Sequence, residues 1–172
     1  MDSSALALAL EAEKQSIGRY LDLAWQTNDP GGRAMFIRLA TDEFHHMRLL
    51  ESLGPELCEN TACAPVEVPG SAIERLVPSL SRRSIRIQGL SGQNQLSALE
   101  AALASEHSAR DFYKAQSGQG QEPVRVLFLR LSAIEQAHAD LLQAEIDNIT
   151  ENGFWFSVPE FTLESERPQE PT

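Results

Sequence analysis

The sequence predicts an all-α fold, a four-helix bundle with a long crossover between its second and third helices. Three observations predict it. Four segments carry apolar residues at helical spacing. Short clusters of Gly, Pro, Asn and Asp separate the first helix from the second and the third from the fourth. Between the middle two lies a long stretch repeatedly broken by proline and glycine.

The first helix spans residues 5–27, with Leu6, Leu10, Ile17, Leu21 and Ala24 as its expected inward face. Asn28-Asp29-Pro30-Gly31-Gly32 breaks it, and Asp29 before Pro30 is suited to start the next helix. The second helix runs to about Leu53, where Gly54-Pro55 stops it. Its inward face is Phe36, Leu39, Leu50 and Leu53, interrupted by Glu43 and His46. Residues 56–94 form the crossover, broken by Pro65, Pro69, Gly70, Pro78, Gly89 and Gly92, with a short helix expected over residues 72–77. That is far more chain than a tight turn needs, and about what is required to travel the length of a bundle. The third helix covers residues 95–115 through Leu96, Leu99, Leu103 and Phe112. Gly118-Gln119-Gly120 closes it, and Pro123 suits the first turn of a fourth helix over residues 124–148, through Leu127, Leu131 and Leu142 towards Ile149. Residues 1–152 thus read as one bundle domain and 153–172 as a tail. The tail opens on Phe154-Trp155-Phe156, expected to pack on the bundle end or on a partner chain, and its last ten residues are expected to be disordered.

The chain has 172 residues, 42% of them hydrophobic, which suits one domain with a real core. Its formal net charge of -11 argues against nucleic acid as a partner, because a phosphate backbone needs clustered Lys and Arg. Arg82, Arg83 and Arg86 form the one basic cluster, and a solvated face accounts for it. No stretch approaches the roughly 20 apolar residues of a membrane span. The N-terminus lacks the pattern of a signal peptide, and Cys58 and Cys63 are too few for a disulfide framework, so a cytoplasmic location is expected.

The two halves of the chain repeat one pattern. Glu13 precedes Tyr20 by seven residues, and Glu43 precedes His46 by three; Glu106 precedes Tyr113 and Glu135 precedes His138 by the same steps. The offset is 93 residues for the first pair of positions and 92 for the second, and these are the two tyrosines of the chain. Seven residues is nearly two helical turns and three is nearly one, so each pair shares a helix face. A single Glu-x-x-His is common on helix surfaces. Its duplication in order, with the Glu-x6-Tyr, is hard to obtain by chance.

Each of these acids interrupts an apolar stripe, and burying an unpaired carboxylate costs several kcal/mol. Two divalent ions are the simplest neutralisation of four inward carboxylates. Two helices giving one Glu each, and two giving Glu-x-x-His, is the dinuclear iron or manganese arrangement. Three-residue spacing favours His46 over His45 as the nitrogen ligand; His45 and His107 are expected further out or in solvent. Glu11, Asp42, Glu100, Asp111 and Glu145 are further acids, and of these Asp42 is the candidate to orient a ligating histidine from a neighbouring helix.

Over residues 5–150 this pattern resembles the ferritin-like superfamily, in its rubrerythrin and bacterioferritin branches. The resemblance implies Glu43 and Glu135 as bridging carboxylates and Glu13 and Glu106 as terminal ones, with His46 and His138 as nitrogen ligands of two iron ions per chain, manganese fitting the same residues. It implies that Tyr20 and Tyr113, the expected catalytic side chains, are buried and hydrogen-bond to carboxylates across the bundle. Two departures stand out: the chain has no paired Cys-x-x-Cys motifs of a rubredoxin-like domain, and Ala109 stands where rubrerythrins carry an extra Glu. The ligand set is therefore closer to the bacterioferritin type, and the electron donor is expected to be a separate protein.

The expected activity is reduction of hydrogen peroxide or dioxygen. The runners-up are a ferroxidase of iron storage or detoxification and a non-catalytic, metal-stabilised interaction protein docking through the aromatic tail. The aromatic tail and the resemblance favour a homodimer or larger homo-oligomer.

Overall fold

The computed structural model describes residues 3–53, 93–118, 124–152 and 155. They form four helices: α1 (Ser3–Gln26), α2 (Pro30–Leu53), α3 (Gln93–Ser117) and α4 (Val124–Asn152). The sequence-based boundaries fall within a few residues of these. The short helix expected over residues 72–77, both cysteines and the three-arginine cluster lie outside the described residues.

The turn between α1 and α2 shows why the chain reverses there. Thr27 closes α1, with its backbone N–H and its hydroxyl both donating to the Leu23 carbonyl, at 2.9 and 2.6 Å. Its own carbonyl accepts from Arg33 Nε and Nη2 at 3.2 and 3.0 Å. Asp29 caps α2: its Oδ1 accepts from the Gly32 N–H at 2.9 Å, and its carbonyl from the Arg33 N–H at 3.0 Å. Pro30 at the first helical position lacks only an N–H that would have had no helical partner.

α1 packs along α2 and α3 along α4, and α1 also touches α3. Two apolar clusters fix the helix directions. One gathers Tyr20 and Ala24 near the end of α1, Met35, Phe36 and Leu39 near the start of α2, Leu99 and Ala102 near the start of α3, and Leu141, Leu142 and Ile149 from the second half of α4. The other gathers Leu6 and Ala9 from the start of α1, Leu50 from the end of α2, Tyr113 from the end of α3, and Leu127, Phe128 and Leu131 from the start of α4. α2 therefore ends at the opposite end of the bundle from where α3 begins. The two run in the same direction, which is why the link between them must be long.

Trp155 lies on the bundle. It is buried, with its ring edge-on to Phe36 at 5.8 Å between centroids. A Cβ on Gly32 would come within 2.6 Å of that ring, so the absence of a side chain there makes room for the indole. Phe154 and Phe156 lie outside the described residues.

One predicted inward residue faces out. Leu21 is 52% exposed, because the inward line of α1 runs through Ala9, Glu13, Tyr20 and Ala24, and Leu21 sits one residue, about 100°, past it. None of the described helices is long and apolar enough to cross a membrane.

Candidate metal centre

Midway between the two apolar clusters, each helix turns acidic or basic side chains inward: Glu13 from α1, Glu43 and His46 from α2, Glu106 from α3, and Glu135 and His138 from α4. None is more than 4% exposed. They assemble into two sets, Glu13, Glu43, His46 and Glu135, and Glu43, Glu106, Glu135 and His138, in each of which four ligand-type atoms lie within 4.8 Å of one another. Glu43 and Glu135 belong to both.

Their orientation divides the acids into two kinds. Glu43 directs Oε2 to His46 Nδ1 at 3.4 Å and Oε1 to His138 Nδ1 at 3.0 Å. Glu135 directs Oε1 to His46 Nδ1 at 3.3 Å and Oε2 to His138 Nδ1 at 3.4 Å. Glu13 reaches His46 alone, at 3.6 Å, and Glu106 reaches His138 alone, at 3.5 Å. The imidazoles stack nearly parallel, 5.8 Å apart.

The tyrosines account for the other oxygens. Tyr20 on α1 donates its hydroxyl to Glu106 Oε1 on α3, and Tyr113 on α3 donates to Glu13 Oε1 on α1. Each outer acid thus has one oxygen held from across the bundle and one aimed at the centre. Both phenols are supported alike, Tyr20 stacking on Phe36 and Tyr113 on Phe128.

The centre-facing atoms have no hydrogen bond: Glu13 Oε2, Glu43 Oε1, His46 Nδ1, Glu106 Oε2, both oxygens of Glu135 and His138 Nδ1. Buried polar atoms are normally satisfied, and so many orphans converging on one point need a shared partner. A set of four carboxylate groups and two imidazoles fits two divalent cations, because charge balances and every orphan becomes a ligand.

Without metal, protons must neutralise the group. Burial, with the neighbouring Glu43 charge, pushes the Glu13 carboxyl up, and burial with the Glu135 and Glu43 charges does the same to Glu106. Burial would also raise Glu43 and Glu135, but the Glu13 carboxyl beside Glu43 and the two imidazoles close to both acids leave them below the usual carboxylate range. Burial works against charge on His46 and His138, yet the surrounding carboxylates hold both well above an ordinary histidine. These shifts favour protons on Glu13, Glu106, His46 and His138, and charge on Glu43 and Glu135.

The six acids and histidines picked from spacing and periodicity are thus brought together in two overlapping sets, and the two tyrosines contact the outer acids of those sets. His45 is exposed and His107 half-buried, neither in the two sets. Asp42 is buried with its Oδ2 3.4 Å from His138 Nε2. Glu11, Glu100 and Asp111 are exposed, whereas Glu145 is buried in α4. Glu145 continues the stripe of Leu131, Glu135, His138 and Leu142, so the criterion of an acid interrupting an apolar face applied to it equally.

The repeat also runs further than the ligand-type residues. At the same offsets Leu6 matches Leu99, Ala9 matches Ala102, Phe36 matches Phe128, Leu39 matches Leu131 and Leu50 matches Leu142. All ten are buried, so the two halves are alike in core as well as centre.

A sequence model of the family described as Rubrerythrin matches residues 97–157, the second half of the bundle with Glu106, Tyr113, Glu135 and His138. No curated protein and no solved structure matches the chain.

Proposed function

We propose that the chain is a non-haem diiron oxidoreductase that reduces hydrogen peroxide or dioxygen. The observation that carries this reading is the sharing of Glu43 and Glu135 between the two four-residue sets. The likeness of residues 97–157 to the rubrerythrin family supports it. Two iron(II) ions bound there would supply the two electrons that convert hydrogen peroxide to water, and manganese would fit the same ligands.

In this reading Glu43 and Glu135 would serve both ions, Glu13 and Glu106 would serve one each, and His46 and His138 would complete one set each. Carboxylate-rich surroundings favour the higher-valent ions, since anionic oxygen ligands stabilise added positive charge. Tyr20 and Tyr113 hold the outer acids in place. Burial, with the nearby carboxylates, pushes both hydroxyls well above the ordinary tyrosine range, so they remain donors at any working pH. The electrons would be replaced by a separate protein, and the setting would be cytoplasmic, in a homodimer or larger assembly.

The test is anaerobic loading with iron(II), removal of loose metal, elemental analysis, and then stopped-flow absorbance on mixing with peroxide or dioxygen. Two irons per chain, oxidised by peroxide and re-reduced through repeated cycles, is the expected result. Continued oxidation of added iron(II) far beyond two per chain would make iron the substrate. No retained iron or manganese in folded protein would defeat the reading.

A further inference from the structure

The repeat that relates the two halves fails at a buried position next to the shared acids. Asp42 lies one residue before Glu43 on α2, and the position equivalent to it, one residue before Glu135 on α4, is Ile134. Both are buried. The consequence falls on the histidines of the opposite helices. His138 turns Nδ1 to the centre and has Asp42 Oδ2 3.4 Å from its Nε2, while the residue matching Asp42 on the His46 side has no polar side-chain atom at all. Among the described residues His46 has no carboxylate at Nε2; its three ion-pair contacts all run through Nδ1.

We infer that Asp42 makes the two metal positions unequal, so that the one served by Glu106 and His138 fills first and holds its ion more tightly than the one served by Glu13 and His46. The inference rests on the dinuclear reading above and adds an order of binding to it. The physical reason is the anchoring of a ligand. A metal-bound imidazole donates its outer N–H, and a carboxylate that accepts it fixes the tautomer with the proton on Nε2, fixes the ring plane, and makes the inner nitrogen a better donor. His138 has that carboxylate across the bundle and, among the described residues, His46 does not, although the other ligands come in equivalent pairs. Asp42 is thus a positioning residue, acting on the metal through His138.

Anaerobic titration with cobalt(II), followed at its visible ligand-field bands, tests this. The native chain is expected to bind two ions in two resolvable steps. The first should persist in His46→Ala and disappear in His138→Ala. Asp42→Ala and Asp42→Asn should weaken the first step by about ten- to a hundredfold and shift its bands, leaving the second within about threefold. The band shift is the readout a merely structural aspartate would not move, and far-ultraviolet circular dichroism establishes that the variants fold. Should Ala disrupt the core, the isosteric Asn carries the test. Ile134→Asp is the converse variant, expected to tighten the second step.

Two equal steps in the native chain, or a first step lost in His46→Ala and kept in His138→Ala, would overturn the inference and leave the dinuclear centre standing. So would Asp42 variants that titrate like the parent. Binding of fewer than two ions by the native chain would overturn both.

Discussion

Glu43 and Glu135 face the centre as a matched pair, each with one oxygen towards His46 and the other towards His138. Glu13 and Glu106 have no such double reach. Removing a shared acid therefore disturbs both metal positions, and removing an outer acid disturbs one. Glu43→Ala or Glu135→Ala is expected to retain close to no iron after anaerobic loading, while Glu13→Ala retains about half the native content, read by elemental analysis. A Glu43→Ala chain that kept two irons as tightly as the parent would refute the shared role.

Tyr20 makes a different prediction, because it touches Glu106 Oε1 rather than the centre. Tyr20→Phe leaves Glu106 Oε2 free to serve as before, so two irons should still bind. It does leave a buried oxygen without its donor, at a cost of about 1–3 kcal/mol. The metal-free variant should then melt several degrees below the parent, by about 2–4 °C per kcal/mol for a chain of this size. Oxidation by peroxide should change in rate. Loss of both irons in this variant would mean that the phenol is part of the ligand set.

The helices and the centre were legible in the sequence for one physical reason: a carboxylate or imidazole on an apolar stripe has to be compensated, and the chain does it twice at matching spacing. Leu21 misled because a leucine next to Tyr20 satisfies helical periodicity as well as the true inward line does; only the packing of α1 against α2 and α3 decides between faces about 100° apart. Glu145 met the same criterion as Glu135, and only the fold sets it apart, buried in α4 but outside the two sets. Asp42 was legible as the acid that orients a histidine of a neighbouring helix; that this histidine is His138 required the fold, because the two stand 96 positions apart in the chain.

Protonation of the centre before metal is loaded gives a pH dependence with a definite sign. Glu13, Glu106, His46 and His138 all hold protons more tightly in the folded chain than when exposed. For such groups the folded state binds more protons than the unfolded state once pH passes the unfolded values, about 4.3 for Glu and 6.5 for His. Stability of the metal-free protein should then fall as pH rises past those unfolded values, the two acids contributing first and the two imidazoles after them. Glu43 and Glu135, held low, act oppositely, and their contribution is lost only as pH falls below about 4.3. Metal reverses the trend at the alkaline side, since it competes for the same atoms. Loading two divalent ions near pH 6 should release about four protons, two from carboxyls and two from imidazoles, measurable with an indicator dye in weak buffer. Release of none would mean that the centre before loading is not protonated in this way.

The last prediction concerns the seat of Trp155 at the start of α2. Alanine in place of glycine within a helix ordinarily stabilises by about 0.5–1 kcal/mol. At Gly32 the added Cβ would meet three atoms of the Trp155 ring at 2.6–2.9 Å, closer than carbon atoms approach, so either the indole moves or α2 does. Moving the indole breaks its edge contact with Phe36 and exposes a large apolar surface. Gly32→Ala should therefore destabilise by about 1–3 kcal/mol, opposite in sign to the helix-propensity effect. Fluorescence tells which group moved. Trp25 is 89% exposed and contributes a constant red-shifted background, so in a Trp25→Phe chain the emission reports Trp155 alone. Displacement shifts it to the red and raises its quenching by acrylamide, whereas a blue, protected emission with unchanged stability would show that Trp155 does not rest on Gly32.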